Sequence, residues 1–219
     1  MYVGLRMLKD FAVITPKTLL TEADKIMLEN RLWMLLVRDG DKLAGYVRKE
    51  DVRSAMPSQA TTLSKHELNY LLSRLTVEEI MLREVPSVPP ETEIEEAAEI
   101  MSRENLAGLA VVDRQNNLLG FINRGVMLNV LVEEMGLGHG GSRIVFEVED
   151  RPGVIAEVAG IISGMGIGII ATGTFFHDGK RIVVFRVKTD DPTPIAKVLH
   201  ERGYVLVGPD TFAPEWQKS

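Results

Sequence analysis

Pro16-Lys17-Thr18-Leu19-Leu20-Thr21-Glu22-Ala23-Asp24-Lys25-Ile26-Met27 returns 74 residues later as Pro90-Glu91-Thr92-Glu93-Ile94-Glu95-Glu96-Ala97-Ala98-Glu99-Ile100-Met101. The same shift carries Met7 onto Met81 and Leu32 onto Leu106. After one residue of slip in a turn, Leu43 and Gly45 fall on Leu118 and Gly120. The matched positions are mostly apolar or turn-forming, so the duplicated object is a packing unit and not a catalytic signature. A unit of about 60 residues buries only a small core. Two tandem copies therefore predict a pair that folds together, with a pseudo-twofold axis and clefts between the halves. Such clefts suit holding a small molecule better than making or breaking its bonds.

Working outward, both copies show one order of elements. Val13-Ile14-Thr15-Pro16 reads as a short strand ended by proline, and Leu20, Ala23 and Met27 recur at helical spacing. Leu35–Val37 and Leu43–Val47 flank the turn Asp39-Gly40-Asp41, a hairpin signal, and a second helix is expected from about Asp51. In the second copy Ile94, Ala97 and Met101 form the stripe, and Thr92-x-x-Glu95 reads as a capping box. Leu109–Val112 and Leu118–Ile122 pair across residues 113–117. Between the copies, Pro57 lies in a polar stretch. Ser64-x-x-Glu67 then opens a helix with Leu68, Leu71, Leu72 and Leu75 on one face. That face needs a partner, so residues 57–76 are expected to be a docked connector between units at 1–56 and 77–135.

Residues 136–142, Gly136-Leu137-Gly138-His139-Gly140-Gly141-Ser142, have the composition of a flexible joint. Beyond them Ile144–Val148 reads as a strand, Asp150–Gly153 as a turn and Val154–Met165 as a helix. Ile167–Phe176 is a strand, His177-Asp178-Gly179 a hairpin turn and Arg181–Lys188 a strand. Pro194–Arg202 is a helix and Tyr204–Val207 a last strand. Residues 143–208 thus have the order βαββαβ, the ferredoxin-like layout of a four-stranded antiparallel sheet with two helices on one face. Residues 209–219 are left as a tail. The fold class is α+β.

Composition narrows the function. Of 219 residues 45% are apolar, enough for real cores, and there is no cysteine, so no disulfide and no thiolate chemistry. The net charge of −6 opposes binding to phosphate backbones, and no basic run sits beside aromatic residues, so nucleic acid is not an expected partner. Charged residues interrupt positions 1–30, so no secretory signal is expected. Gly153 to Phe176 carries a single charge, Glu157, but its glycines break it into a buried helix and a buried strand, so no membrane partner is expected. The expected location is cytoplasmic. There is no Gly-x-x-x-x-Gly-Lys loop and no Gly-x-Ser-x-Gly elbow. His66, His139, His177 and His200 are scattered without metal spacing. Gly164-Met165-Gly166-Ile167-Gly168 follows a helix, not the strand that a dinucleotide fingerprint requires. The chain reads as non-enzymatic, with no catalytic residue, no metal and no required cofactor.

Val3-x-x-Arg6-Met7 and Val77-x-x-Ile80-Met81, each followed by the strand-to-proline segment, the alanine-methionine helix and a glycine-apolar-apolar strand, resemble the CBS domain over residues 1–135. The pair resembles a Bateman module. Residues 142–208 resemble an ACT domain. The order CBS, CBS, ACT, and the run Val183-Val184-Phe185-Arg186-Val187-Lys188-Thr189 with Pro192 and Pro194, resemble the acetoin-utilisation accessory protein group. The resemblance implies a regulatory ligand sensor. CBS pairs usually bind adenosine compounds such as AMP, ATP, NAD or S-adenosylmethionine, and ACT domains commonly bind an amino acid where two copies meet.

The resemblance also implies site residues. In CBS domains a Gly-h-h-Thr-x-x-Asp segment (h, apolar) places its Asp on the ribose hydroxyls and its Thr near phosphate. A carboxylate suits a diol because it offers acceptors and no donor. The first copy reads Gly45-Tyr46-Val47-Arg48-Lys49-Glu50-Asp51, with Arg48 for the Thr. Asp51 is a ribose ligand, an N-cap of the following helix, or both. Val13, Ile14 and Thr15 would contact adenine, and Arg48 and Lys49 phosphate. The second copy reads Gly120-Phe121-Ile122-Asn123-Arg124-Gly125-Val126, with Val126 in place of the Asp. Its weaker cleft would use Ser87, Val88, Pro89, Asn123 and Arg124. Lys49 and Arg124 are otherwise solvated surface cations. The ACT effector loop would be Asp150, Pro152 and Gly153 with the N–H groups of Val154 and Ile155. Its plainer reading is a tight turn with Pro152 near the first helical position. A homodimer is expected, because the ACT sheet has open edges and its strand residues Ile144, Phe146, Ile169 and Phe185 supply limited core. The competing expectation is a ligand-free scaffold or accessory protein that docks on a metabolic enzyme.

Overall fold

The computed structural model describes residues 1–57 and 64–216; residues 58–63 of the expected connector and 217–219 of the expected tail lie outside the described residues. Two compact units emerge, Met1–Leu128 and Asn129–Ser219. The first holds α1 (Val3–Arg6), β1 (Val13–Ile14), α2 (Leu20–Glu29), β2 (Met34–Asp39), β3 (Lys42–Arg48) and α3 (Lys49–Ala55). After α4 (Lys65–Leu72) and a 3-10 turn at Val77–Glu79 come β4 (Ser87–Val88), α5 (Ile94–Arg103), β5 (Gly108–Val112), β6 (Leu118–Asn123) and the start of α6 (Arg124–Glu134).

The repeat is visible in the strand register. In the first sheet, ordered β1-β2-β3, Val13 lies beside Leu36 and Leu36 beside Tyr46; in the second, β4-β5-β6, Ser87 lies beside Ala110 and Ala110 beside Phe121. In both, the first pairing is parallel and the second antiparallel. The hairpins differ in their turns. Gly40 and Asp41 close the first, with Gly40 at φ 60. The second takes Asp113–Asn117, folded around the Asp113 carboxylate, which accepts from the backbone N–H of Gln115 and Asn117. This longer turn is the one-residue slip in the repeat.

The copies exchange their opening segments. Val3 N–H donates to Thr92 O at 2.9 Å and Gly4 N–H to Pro90 O at 2.8 Å; reciprocally Val77 N–H donates to Thr18 O and Glu78 N–H to Pro16 O, both at 2.9 Å. Leu8 pairs with Phe121 and Leu82 with Tyr46. Val77 and Met81 complete the core of the first copy beside Leu20, Met27, Leu35 and Val47. Met34, Leu36 and Leu43 of the first sheet pack with Ala110 and Phe121 of the second. The expected cooperative pair is therefore a physical interlock.

Several local expectations shift. The capping box at Ser64 and Glu67 forms, and a second, unforeseen, forms at Thr76 and Glu79. Thr92 does not cap α5; Glu93 occupies the N-cap, and Thr92 is buried beneath the incoming Val3. Likewise α3 begins at Lys49 with Arg48 as N-cap, so Asp51 lies in the first turn and the capping reading of Asp51 is overturned. The α4 face is docked only in part: Leu75 packs on the first core, while Leu71 is exposed.

The second unit continues with β7 (Ser142–Val148), α7 (Val154–Gly164), β8 (Ile169–His177), β9 (Lys180–Val187), α8 (Thr193–Glu201), β10 (Val205–Leu206) and α9 (Pro209–Trp216). The sheet order β10-β7-β9-β8 is antiparallel throughout, the ferredoxin-like layout. Ile144, Phe146, Val183 and Phe185 pack against Val154, Val158 and Ile162 of α7 and Ile195 and Leu199 of α8. Phe146 lies parallel to Phe185 at 6.0 Å and edge-on to Tyr204 at 5.4 Å. Ile169, expected inside, is exposed on the edge strand β8. Residues 209–216, left as a tail by the sequence, are helical. The glycine joint is anchored: the Arg186 guanidinium donates to Met135 O, Gly140 O and Gly141 O.

The interlock explains two glycines. A Cβ on Gly120 would stand 2.6 Å from Met7 Sδ and 2.9 Å from Leu8 O; on Gly45 it would stand 2.9 Å from Leu82 O. Each glycine lets the other copy's opening segment cross its strand. Gly120→Ala should therefore destabilise the chain by about 1–3 kcal/mol, as overpacking does. Gly160 sits inside α7 with open space around its Cα. Gly160→Ala should stabilise by about 0.5–1 kcal/mol. Urea unfolding midpoints of the two variants should move in opposite directions.

Candidate functional site

The interlock turns corresponding segments of the two copies toward one another. The turns from helix to strand, residues 30–34 and 104–107, and from strand to helix, residues 48–50 and 123–125, line one cleft of about 890 Å³. Its charged lining comprises Arg31, Arg48, Lys49, Arg53 and Arg124 against Glu50 and Glu104. An excess of cations in one cleft of a chain with net charge −6 is a local reversal of sign. A smaller, largely apolar cavity of about 210 Å³, lined by Leu8, Phe11, Ala12 and Leu36 among others, shares Asn30, Leu32, Met34, Phe121 and Asn123 with it.

The backbone sets the cations symmetrically. Lys49 N–H donates to Trp33 O at 2.9 Å, and Arg124 N–H to Ala107 O at 3.4 Å, so each stands at the first residue of its helix. Their side chains differ. The Lys49 ammonium lies 5.4 Å over the Trp33 ring, whose residue is 72% exposed. The Arg124 guanidinium donates to Leu106 O at 2.9 Å and Asn105 Oδ1 at 2.8 Å. Arg48 forks onto Asp51, with Nε 2.7 Å from Oδ2 and Nη2 3.0 Å from Oδ1, and its Nη1 lies 3.1 Å from Glu50 Oε1. The hydrogen bond to Asp51 holds the Arg48 guanidinium above its ordinary value. At the matching place Asn123 Oδ1 accepts from Val126 N–H at 3.0 Å and caps α6.

Part of each expected site lines this one cleft. Arg48 and Lys49 of the first set and Asn123 and Arg124 of the second share its walls. Asp51 does not line it and is joined to it through Arg48. Val13, Ile14, Ser87 and Val88 are the short strands of the two sheets, and neither they nor Thr15 and Pro89 line this cleft. Thr15 N–H is taken by Thr18 Oγ1 at 3.0 Å. Sequence reasoning missed Trp33, Arg31, Arg53 and Asn105. A signal for Trp33 existed, since an aromatic follows the matched Leu32 in the first copy where alanine follows Leu106 in the second.

In the second unit, Gly153 takes φ 88 and is the N-cap of α7, with no side chain capping the first turn, where Val154 and Ile155 lie. Pro152 precedes the cap, two residues before the first helical residue Val154, near the helix start as its plainer reading has it. The loop's charges are engaged: Arg181 Nη1 donates to Asp150 Oδ1 at 2.7 Å, and Arg151 Nη2 to Glu157 Oε2 at 2.8 Å. The Arg151 hydrogen bond holds the Glu157 carboxyl below its usual range.

The family model of the CBS domain matches residues 3–58 and 77–133, more than half of the chain. The chain belongs to the CBS-domain family. A model of the TTHA0829-like ACT domain matches residues 140–207, so the CBS pair is followed by an ACT domain. A homoserine O-acetyltransferase of Methanohalobium evestigatum is 29% identical over 122 residues, 55% of this chain and 22% of that protein. The chain spans between 20% and 37% of the length of the first curated relatives it matches. Among solved structures, CBSX2 in complex with AMP is 25% identical, covering 60% of this chain and 96% of that one at a TM-score of 0.50; CBSX2 is a CBS-pair protein of Arabidopsis thaliana. A Vibrio cholerae protein assigned to acetoin utilization shares the fold at 21% identity, covering 65% of this chain and 98% of that one, TM-score 0.53. Among the described residues no helix is long and apolar enough to cross a membrane.

One histidine gains partners that its place in the sequence hides. His177 ends β8, and its Nε2 lies 2.9 Å from Glu215 Oε2 of α9, with Phe212 edge-on to the ring at 5.2 Å. With Asp178 these residues bring three ligand atoms within 4.8 Å, although both carboxylates are exposed and Glu215 already takes the imidazole. The Glu215 hydrogen bond, aided by the charge of Asp178, raises the His177 pKa above its ordinary value. A raised folded-state value means that the pair stabilises α9 fully below the unfolded value of about 6.5 and loses that contribution as pH rises through the folded value. A proton NMR titration should show His177 titrating above an ordinary histidine, and Glu215→Gln should bring it back down.

Proposed function

We propose that this chain is a non-catalytic sensor whose CBS pair binds an adenine nucleotide in the cation-lined cleft. The observation that carries the reading is the local reversal of charge, with Arg48 and Lys49 of one copy facing Arg124 of the other. Such a cluster suits a phosphate chain, which presents acceptors and negative charge. Asp51, bound to Arg48 at the cleft wall, is the ribose acceptor of this reading, and the AMP complex of the similar Arabidopsis CBS pair supports the ligand class. Val126 leaves the second copy without a ribose acceptor, so one nucleotide per chain is expected. The ACT domain would take an amino acid carboxylate at the Gly153 end of α7, in a cytoplasmic homodimer whose wall is completed by a second copy. Exposed Phe175 and Phe176 on the edge strand β8 favour that pairing.

Calorimetry with AMP, ADP, ATP, NAD and S-adenosylmethionine tests the reading. Binding should weaken with added salt, and Lys49→Ala should cost about 1.5 kcal/mol, the worth of one charge-assisted hydrogen bond. No heat with any of the five at millimolar concentration overturns it in favour of a ligand-free accessory protein that docks on a metabolic enzyme. Arg48 in the place of Thr and Val126 in the place of Asp are the observations that would then gain weight. Light scattering should give about twice the 24.3 kDa chain mass. A monomer at micromolar concentration would remove the second wall of the effector loop.

A further inference from the structure

The Asp51 carboxylate is already occupied. Both of its oxygens accept from one guanidinium, Nε to Oδ2 at 2.7 Å and Nη2 to Oδ1 at 3.0 Å. This paired, charge-assisted geometry is among the strongest side-chain contacts available. A ribose diol needs those same oxygens as acceptors. A nucleoside brings no anion, so its diol would displace an ion pair and leave the guanidinium to Glu50, at 3.1 Å. A nucleotide brings a phosphate that fits the same planar fork. Arg48 is well placed for the exchange: it ends β3 on the cleft wall, its side chain is about half exposed, and Lys49 and Arg124 line the same cleft.

The second copy shows that the clasp is no requirement of the fold. There the matching residues are Asn123, which caps α6, and Val126, which has no acceptor to hold. In the first copy Arg48 is the N-cap of α3 by position, yet its side chain makes no capping bond and turns to Asp51 instead. Arg48 at the N-cap and Asp51 three residues on, in the first turn of α3, stand in the relation that lets a capping box close, so the pair is local.

We infer that Arg48 makes this site select nucleotides over nucleosides, by keeping Asp51 closed until a phosphate draws the guanidinium away. The inference rests on the nucleotide-binding reading above. Its test is calorimetry of the full chain with adenosine and with AMP, in the wild type, Arg48→Thr and Arg48→Lys. The wild type should bind AMP at least roughly 30-fold more tightly than adenosine, where tenfold corresponds to about 1.4 kcal/mol. Arg48→Thr frees Asp51 and removes a phosphate contact. It should tighten adenosine, weaken AMP and bring the ratio below about threefold, on the same scale. Arg48→Lys keeps the charge without the fork and should fall between. AMP binding with an unchanged ratio in Arg48→Thr overturns this inference and leaves the nucleotide reading standing. No binding of either ligand by any of the three proteins overturns both.

Discussion

The reciprocal exchange of opening segments is the constraint on which the first unit depends. Val3 and Val77 are both fully buried, and each donates its backbone N–H to the proline-threonine turn of the other copy. Each copy, at about 60 residues, buries only a small core of its own. The exchange supplies what is missing, since Val77 and Met81 finish the core of the first copy. It also fixes which surfaces face each other. Once Leu8 pairs with Phe121 and Leu82 with Tyr46, the strand ends that carry Arg48 and Asn123 have no freedom to be elsewhere. The cleft is a consequence of the interlock, and its charge is what the sequence adds.

Much of the fold was legible because it rests on short-range periodicity. The apolar stripe at Leu20, Ala23 and Met27 and the Gly40 turn are local signals, and the structure reproduces them. Capping was less legible. Thr92-x-x-Glu95 has the composition of a capping box, but a long-range bond from Val3 claims Thr92 and moves the helix start to Ile94. The same limit applies to Asp51, whose place in the first turn follows from where β3 stops pairing. That residues of both copies line one cleft was not legible at all. Residues 48–50 and 123–125 are far apart in the chain, and only the crossing of the sheets brings them to one cavity.

The glycine-rich segment after α6 carries the opposite lesson. Glycine marks a flexible joint, and it also marks a backbone that must pass close to another. Composition does not separate the two. Here a Cβ on Gly136 would stand 2.5 Å from Ile170 Cγ2, and one on Gly141 would stand 2.1 Å from Val187 O, both with positive φ. These glycines serve close approach to β8 and β9, and Arg186 binds the carbonyls around them. The helix at Pro209–Trp216 escaped notice for a related reason. Pro214 lies inside it, and proline argues against a helix interior on propensity alone, yet the His177–Glu215 pair ties the helix to β8.

Duplication normally yields two equal sites, and the chemistry of this pair departs from that. The backbone is symmetric to the level of single hydrogen bonds, as Lys49 to Trp33 and Arg124 to Ala107 show. The side chains on it are not. One copy carries a carboxylate with an arginine clasped upon it, and the other carries an amide spent on capping a helix and a valine. One copy offers an exposed tryptophan beneath its lysine, and the other an alanine. A symmetric ligand would use such a cleft poorly. The cleft's own polarity is therefore one-sided: the cations come from both copies, and the carboxylate clasped by Arg48 comes from the first copy alone.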